Sequence, residues 1–217
     1  NLGDVNTWLK IGAYYDEKLS YSMSKVLGSG YKMYENNNLL TDLNISDANT
    51  IIPDYAFSGN NYLKTVNVQS KSIGNSAFRE SAITSVTTSE HLELVEDYAF
   101  ANCANLSHFE FGRSERITLG GYVFDSSDKL TSMVALCPPP AFLDSRKYVV
   151  FYNFNCGACT LLVPGEYIEL YRNHAQWSKF NIGYSGINDI VIDGDAIEVA
   201  RYDINGILLT EPQPGIN

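Results

Sequence analysis

Asp54-Tyr55-Ala56-Phe57-Ser58-Gly59-Asn60-Asn61-Tyr62-Leu63-Lys64-Thr65-Val66-Asn67-Val68 and Asp97-Tyr98-Ala99-Phe100-Ala101-Asn102-Cys103-Ala104-Asn105-Leu106-Ser107-His108-Phe109-Glu110-Phe111 are two copies of one phrase. Each opens Asp-Tyr-Ala-Phe and closes on an apolar-x-x-apolar-x-apolar run. Weaker copies are Ile73-Gly74-Asn75-Ser76-Ala77-Phe78 with Ile83 and Val86, and Leu119-Gly120-Gly121-Tyr122-Val123-Phe124 with Leu130, Met133 and Ala135. A worn first copy aligns Met33-Tyr34 with Ala-Phe, and Leu40, Leu43 and Ile45 with the closing run. The aromatic markers Tyr34, Phe57, Phe78, Phe100 and Phe124 are spaced by 23, 21, 22 and 24 residues. A fixed period of that size is the signature of a solenoid, one coil per repeat.

The last apolar positions of each copy alternate at period two, which predicts one short strand per coil. Five such strands stack in parallel about 4.8 Å apart into one sheet. The five aromatic residues form a column on the opposite wall, each ring removing about 150 to 250 Å² from water. Three residues past each aromatic stand Asn37, Asn60, Ser81, Cys103 and Ser127, small groups suited to satisfying turn backbone by local hydrogen bonds. Cys103 is read as a buried member of that ladder.

These motifs resemble the BspA-like leucine-rich repeats of bacterial surface proteins, including those of Bacteroides. The similarity continues through Cys137-Pro138-Pro139-Pro140, Leu161-Leu162-Val163-Pro164, Tyr171, Trp177 and Phe180, which look like the cap that follows such repeats. The fold expected is a β-rich α/β solenoid with a short parallel sheet and a cap at each end. Residues 1–30 supply the N-terminal cap, part helical, with Val5, Trp8, Leu9, Tyr15, Leu19, Met23 and Val26 as its apolar positions. Residues 31–136 hold five repeats. Residues 137–183 are the C-terminal cap, in which the three prolines stop strand addition and a helix over 165–179 covers the last coil with Ile168, Leu170, Tyr171, Ala175 and Trp177. Residues 184–217 read as β-hairpins around Asp193-Gly194 and Asn205-Gly206. They resemble an incomplete C-terminal sorting-type β-domain of Bacteroidetes surface proteins.

The chain has 217 residues, a formal net charge of -10 and only 15 Lys plus Arg, scattered rather than clustered. That argues against nucleic acid and against a basic membrane patch. No run of apolar residues is long enough to span a bilayer. The opening residue, Asn1, is expected of a processed product, and the composition of an exported protein at the cell surface or outside the cell.

Cys156-Gly157-Ala158-Cys159 begins like the signature around papain-type nucleophiles. However, Thr160 stands where an aromatic belongs, and His174 follows after only fifteen residues. No second ligand pair is spaced for zinc, and no βαβ pattern accompanies a redox motif. Alternation places Cys159 and Cys137 facing the cap core, where they are expected to be close neighbours. The reading is therefore non-enzymatic, without metal or cofactor. The three aspartates Asp189, Asp193 and Asp195 are assigned to hairpin turns rather than to calcium.

What remains is the outward face of the repeat sheet. Alternation gives one column of Asp42, Thr65, Ser85, His108 and Ser132 and a second of Asn44, Asn67, Thr87, Glu110 and Val134. Short hydroxyl and amide side chains of this kind meet polypeptide backbone or sugar hydroxyls. The family resemblance implies a protein-binding or adhesive surface protein whose partners are host matrix proteins or mucin. A glycan receptor is the alternative, though no aromatic platform stands in these columns, and a thiol enzyme using Cys156 or Cys159 is the third reading.

Overall fold

The computed structural model describes residue 9, residues 31–143 and 149–186, and the strand segments 190–193, 196–199, 201–202 and 208–209. From residue 31 onward the first elements are a hairpin, β1 (Tyr34–Glu35) and β2 (Asn38–Leu39). Each following coil adds one four-residue strand and one two-residue strand. The pairs are β3 (Asp42–Ile45) with β4 (Ile51–Ile52), β5 (Thr65–Val68) with β6 (Ser72–Ile73), and β7 (Ser85–Thr88) with β8 (Leu94–Val95). Next come β9 (His108–Phe111) with β10 (Thr118–Leu119), and β11 (Ser132–Ala135) with β12 (Ala141–Phe142). Two more strands, β13 (Thr160–Val163) and β14 (Asn181–Tyr184), flank the short helix α1 (Ile168–Arg172).

The longer strands make one parallel seven-stranded sheet in the order β14-β13-β11-β9-β7-β5-β3. The two-residue strands make a second parallel sheet, β12-β10-β8-β6-β4. Within the longer strands, the apolar half of each alternation is buried: Leu43 and Ile45, Val66 and Val68, Phe109 and Phe111, Met133 and Ala135, Leu161 and Val163. The period-two pattern is thus converted directly into an inside and an outside.

The Ala-Phe turn closes each coil by a backbone device. Tyr55, Ser76, Tyr98 and Tyr122, two residues before the phenylalanine, sit at φ between 53 and 57°. Gly59, Glu80, Asn102 and Ser126, two residues after it, also have positive φ. A non-glycine residue in that region costs about 1–2 kcal/mol. The offset is a ladder between coils: Tyr55, Phe57 and Gly59 donate their N–H groups to the carbonyls of Asn75, Ala77 and Arg79 at 2.9, 2.7 and 2.8 Å. The next coils repeat the arrangement. Behind this ladder the rings pile up, Phe57 on Phe78 at 5.1 Å, Phe78 on Phe100 at 5.3 Å and Phe100 on Phe124 at 5.9 Å, all near parallel. The small polar column supports the same turns. Asn60 Oδ1 accepts from the N–H groups of Tyr62 and Leu63, both at 2.9 Å. Cys103 Sγ donates to Phe78 O at 3.1 Å, and Ser127 Oγ donates to Phe100 O at 2.8 Å.

Several expectations are corrected. Tyr34 does not join the aromatic column; it is 40% exposed, because Asn36 and Asn37 at φ 49 and 65° turn the chain back as a hairpin before the coil can close. Asn37 accordingly lies in that turn and not in the buried ladder. The column continues instead at the far end, where Phe151 stacks on Phe124 at 6.2 Å and 3°. The prolines after Cys137 do not end the sheet, since β13 pairs with β11 directly across them. The helix over 165–179 breaks into a 3-10 turn, α1 and a second 3-10 turn, leaving Leu170 and Ala175 exposed. Trp177 is fully buried, donating its indole N–H to Pro140 O at 3.2 Å.

Cys137 and Cys159 are both buried, but register separates them. Ser132 pairs with Thr160, so Cys159 precedes one end of the ladder while Cys137 follows the other end of β11. The four-residue strand between spans about 10 Å, beyond the roughly 7 Å that a disulfide tolerates. The N-terminal cap lies outside the described residues except for Leu9, which is buried in the core. Toward the other terminus, β15 (Ile190–Asp193) pairs antiparallel with β16 (Ala196–Val199), and β17 (Arg201–Tyr202) with β18 (Leu208–Leu209). The Asp193-Gly194 and Asn205-Gly206 turns themselves fall outside the described residues, apart from Asp193.

Candidate functional site: the polar face of the seven-stranded sheet

Because every strand pair in the sheet is parallel and in register, side chains that alternate outward become columns. Pairing sets Asp42, Thr65, Ser85, His108 and Ser132 in line, and extends the line to Thr160 and Asn181. It sets Asn44, Asn67, Thr87, Glu110 and Val134 in the second line, extended to Leu162 and Gly183. Seven strands at about 4.8 Å give the face a length of about 29 Å. Thr160 and Leu162 belong to Thr160-Leu161-Leu162-Val163, and Asn181 and Gly183 to Asn181-Ile182-Gly183-Tyr184; the apolar Leu162 at an outward position hides the alternation that marks the earlier strands.

The face is internally tied. Thr65 Oγ1 and Thr41 Oγ1 both donate to the carboxylate of Asp42, and these bonds hold its carboxyl below the usual carboxylate range. His108 Nδ1 and Ser132 Oγ are 3.0 Å apart, and Asn181 Nδ2 donates to Thr160 Oγ1 at 3.4 Å. Chemistry changes along the columns. The β3 and β5 residues Asp42, Asn44, Thr65 and Asn67 are polar and exposed. Val134, Leu162 and Gly183 make the second column apolar at the other end, where Gly183 leaves the Leu162 side chain uncovered by a neighbour's Cβ.

Two other surfaces differ from this face in charge and ring content. A groove of about 1020 Å³ beside β6, β8 and β10 is lined by both signs of charge. Its groups pair among themselves, Lys71 with Glu93 at 3.5 Å and His91 with Glu90 at 3.4 Å. Along the turn wall, Tyr98 and Tyr122 stack at 5.0 Å, Tyr152 meets Tyr122 edge-on, and Arg79 covers Tyr98. Tyr98 and Tyr122 are engaged with these neighbours, while Tyr152 at the end of the row stays exposed.

All four cysteines are buried free thiols. Burial pushes the thiols of Cys103, Cys137 and Cys159 up to about 12, the reverse of what a nucleophile needs. Cys156 is also pushed up by burial, although the Lys179 ammonium partly offsets this. Among the described residues no group of three His, Cys, Asp or Glu side chains is placed to hold a metal ion. Also among the described residues, no helix is long and apolar enough to cross a membrane. Asp189 and Asp195 lie outside the described residues.

A family model for the BspA type leucine rich repeat region matches residues 29–156, in six copies. That is one copy more than the five read from the sequence, and Phe151, stacked on Phe124, falls within the matched residues. No curated protein and no solved structure matches the chain. The repeat family points to a protein-binding repeat protein, and solenoids of this type are typically non-catalytic. With more than half of its length matched, the chain belongs to the BspA-type leucine-rich-repeat family.

Proposed function

We propose that this chain is an exported, non-enzymatic protein of the cell surface or extracellular space that binds another protein through the outward face of its seven-stranded sheet. The observation that carries the reading is the pair of registered columns, the first polar from Asp42 to Asn181 and the second polar from Asn44 to Glu110 and apolar from Val134 to Leu162. Short side chains fixed on a rigid sheet lose little entropy when they meet a partner's backbone. A polar stretch grading into an apolar one suits a polypeptide, which offers both amide groups and side chains. Matrix proteins and mucin are the partners the family resemblance implies.

The test immobilises fibronectin, fibrinogen, mucin and a glycan panel and titrates the purified chain over each. Saturable binding to a protein is expected, weakened at least about tenfold by the double substitution Asn67→Arg and Glu110→Arg, which places two long cations in the second column. Binding to glycans alone would favour the receptor of sugars instead. Protein binding that ignores the double substitution would contradict the assignment of the face.

A further inference from the structure

Cys156 and Cys159 lie at the two ends of one tight turn immediately before β13. Cys159 donates its backbone N–H to Cys156 O at 3.0 Å. A turn closed in this way holds its first and fourth Cα atoms within about 7 Å, and disulfides bridge Cα separations of about 4.4–6.8 Å. Both side chains are buried, while Gly157 and Ala158 between them are exposed. The turn has room to adjust, since only Asn155 Oδ1, at 3.7 Å, comes near the space a Cβ on Gly157 would occupy.

The other thiols differ in ways that matter. Cys103 is fully buried in the ladder of the third turn, and Cys137 is 1% exposed at the far end of β11. Cys156 is 7% exposed, more than any other cysteine, and has the Lys179 ammonium nearby to favour its thiolate. It is the most accessible of the four thiols. Cys159, fully buried, is placed to resolve whatever forms there.

We propose that Cys156 and Cys159 form a reversible disulfide when the chain meets a low-molecular-weight disulfide oxidant. The Cys156 thiolate attacks one sulfur of the reagent R–S–S–R, forming a mixed disulfide and releasing one R–S⁻, which takes up a proton. Cys159 must then lose its proton, which its burial opposes and which makes this second step the slow one; its thiolate attacks the Cys156 sulfur, the protein disulfide forms and a second R–S⁻ leaves. The two cysteines lose two electrons and two protons together, and the oxidant is reduced to two R–SH. The bond would clasp the turn that starts β13 and whose Cys159 O accepts the N–H of Asn181 at the start of β14, at 3.1 Å. Oxidation would thus tighten the last two strands of the sheet without touching the repeats before them.

The test incubates the full chain, folded, with oxidised glutathione and follows free thiols and intact mass. Two of the four thiols should disappear, the mass should fall by about 2 Da, and digestion should yield a linkage between Cys156 and Cys159. Dithiothreitol should restore all four. Cys159→Ala should stop at a persistent glutathione adduct on Cys156, and Cys156→Ser should keep its three thiols unmodified. Retention of all four thiols by the wild-type chain would overturn the proposal. So would a stable adduct on wild-type Cys156 or a linkage that involves Cys103 or Cys137, and neither depends on how the variants fold.

Discussion

Gly74 and Gly120 mark where a single methyl group meets the neighbouring coil. A Cβ on Gly74 would stand 2.5 Å from Asp54 Oδ1 and 2.7 Å from Asp54 N. One on Gly120 would stand 2.6 Å from Asp97 N. Both aspartates are themselves clamps: Asp54 Oδ1 accepts from Asn75 N at 2.8 Å, and Asp97 Oδ1 from Gly121 N at 2.6 Å. The neighbour cannot retreat without losing that bond. Gly74→Ala and Gly120→Ala should each cost about 1–3 kcal/mol of stability, as overpacking does. Gly157→Ala should be close to neutral, and chemical denaturation midpoints of the three variants distinguish the two cases.

At the scale of elements, the aromatic column and the C-terminal cap carry the most distinct consequences. Phe100 stacks on Phe78 and Phe124 and meets Phe109 edge-on at 5.1 Å, so Phe100→Ala should cost about 3–5 kcal/mol. Tyr34→Ala, on the exposed hairpin, should cost less than about 1 kcal/mol by the same denaturation measurement. In the cap, His174 Nδ1 accepts from the N–H groups of Gln176 and Trp177 at 3.2 and 3.4 Å, and burial lowers its pKa from 6.5. Protonation would convert that acceptor into a donor. A base whose folded pKa is depressed contributes stability in full above its unfolded value and loses it as pH falls through the folded one. The denaturation midpoint should therefore drop as the pH falls below about 7, and His174→Asn, which keeps an acceptor without a proton to gain, should flatten that drop.

The same elements show what was legible in advance. Phe57, Phe78, Phe100 and Phe124 were readable because each sits in Asp-Tyr-Ala-Phe or a close variant at a steady period. Phe151 was not, because the coil before it is longer and Cys156-Gly157-Ala158-Cys159 draws the eye to chemistry. Tyr34 matched the apolar template, yet Asn36-Asn37-Asn38 is a hairpin signal, and the left-handed tolerance of asparagine outweighed the alignment. Strands of two residues, such as β4 and β6, are too short for any periodicity, so the second sheet had no sequence signature. The polar columns on β3 through β11 were legible from alternation alone, whereas their continuation on β13 and β14 required the pairing across Pro138 to Pro140.

For the molecule as a whole, stability in a solenoid is close to a sum over coils and their nearest-neighbour interfaces. Here those interfaces are three columns in parallel, the two sheets and the turn ladder with its stacked rings. Rigidity along that stack is what turns scattered Ser, Thr and Asn residues into a surface. A face that bent or slipped by one residue at any strand would move its polar set to the inside. The binding proposal therefore rests on seven strands keeping one register from β3 to β14. Spin labels at Asp42→Cys and Asn181→Cys, both exposed and in one column, placed in a chain that also carries Cys156→Ser, measure that span in solution. Six strand spacings of about 4.8 Å predict a single narrow distance distribution near 29 Å. A broad distribution, or one centred far from that value, would contradict the continuous sheet and with it the face on which the proposed function stands.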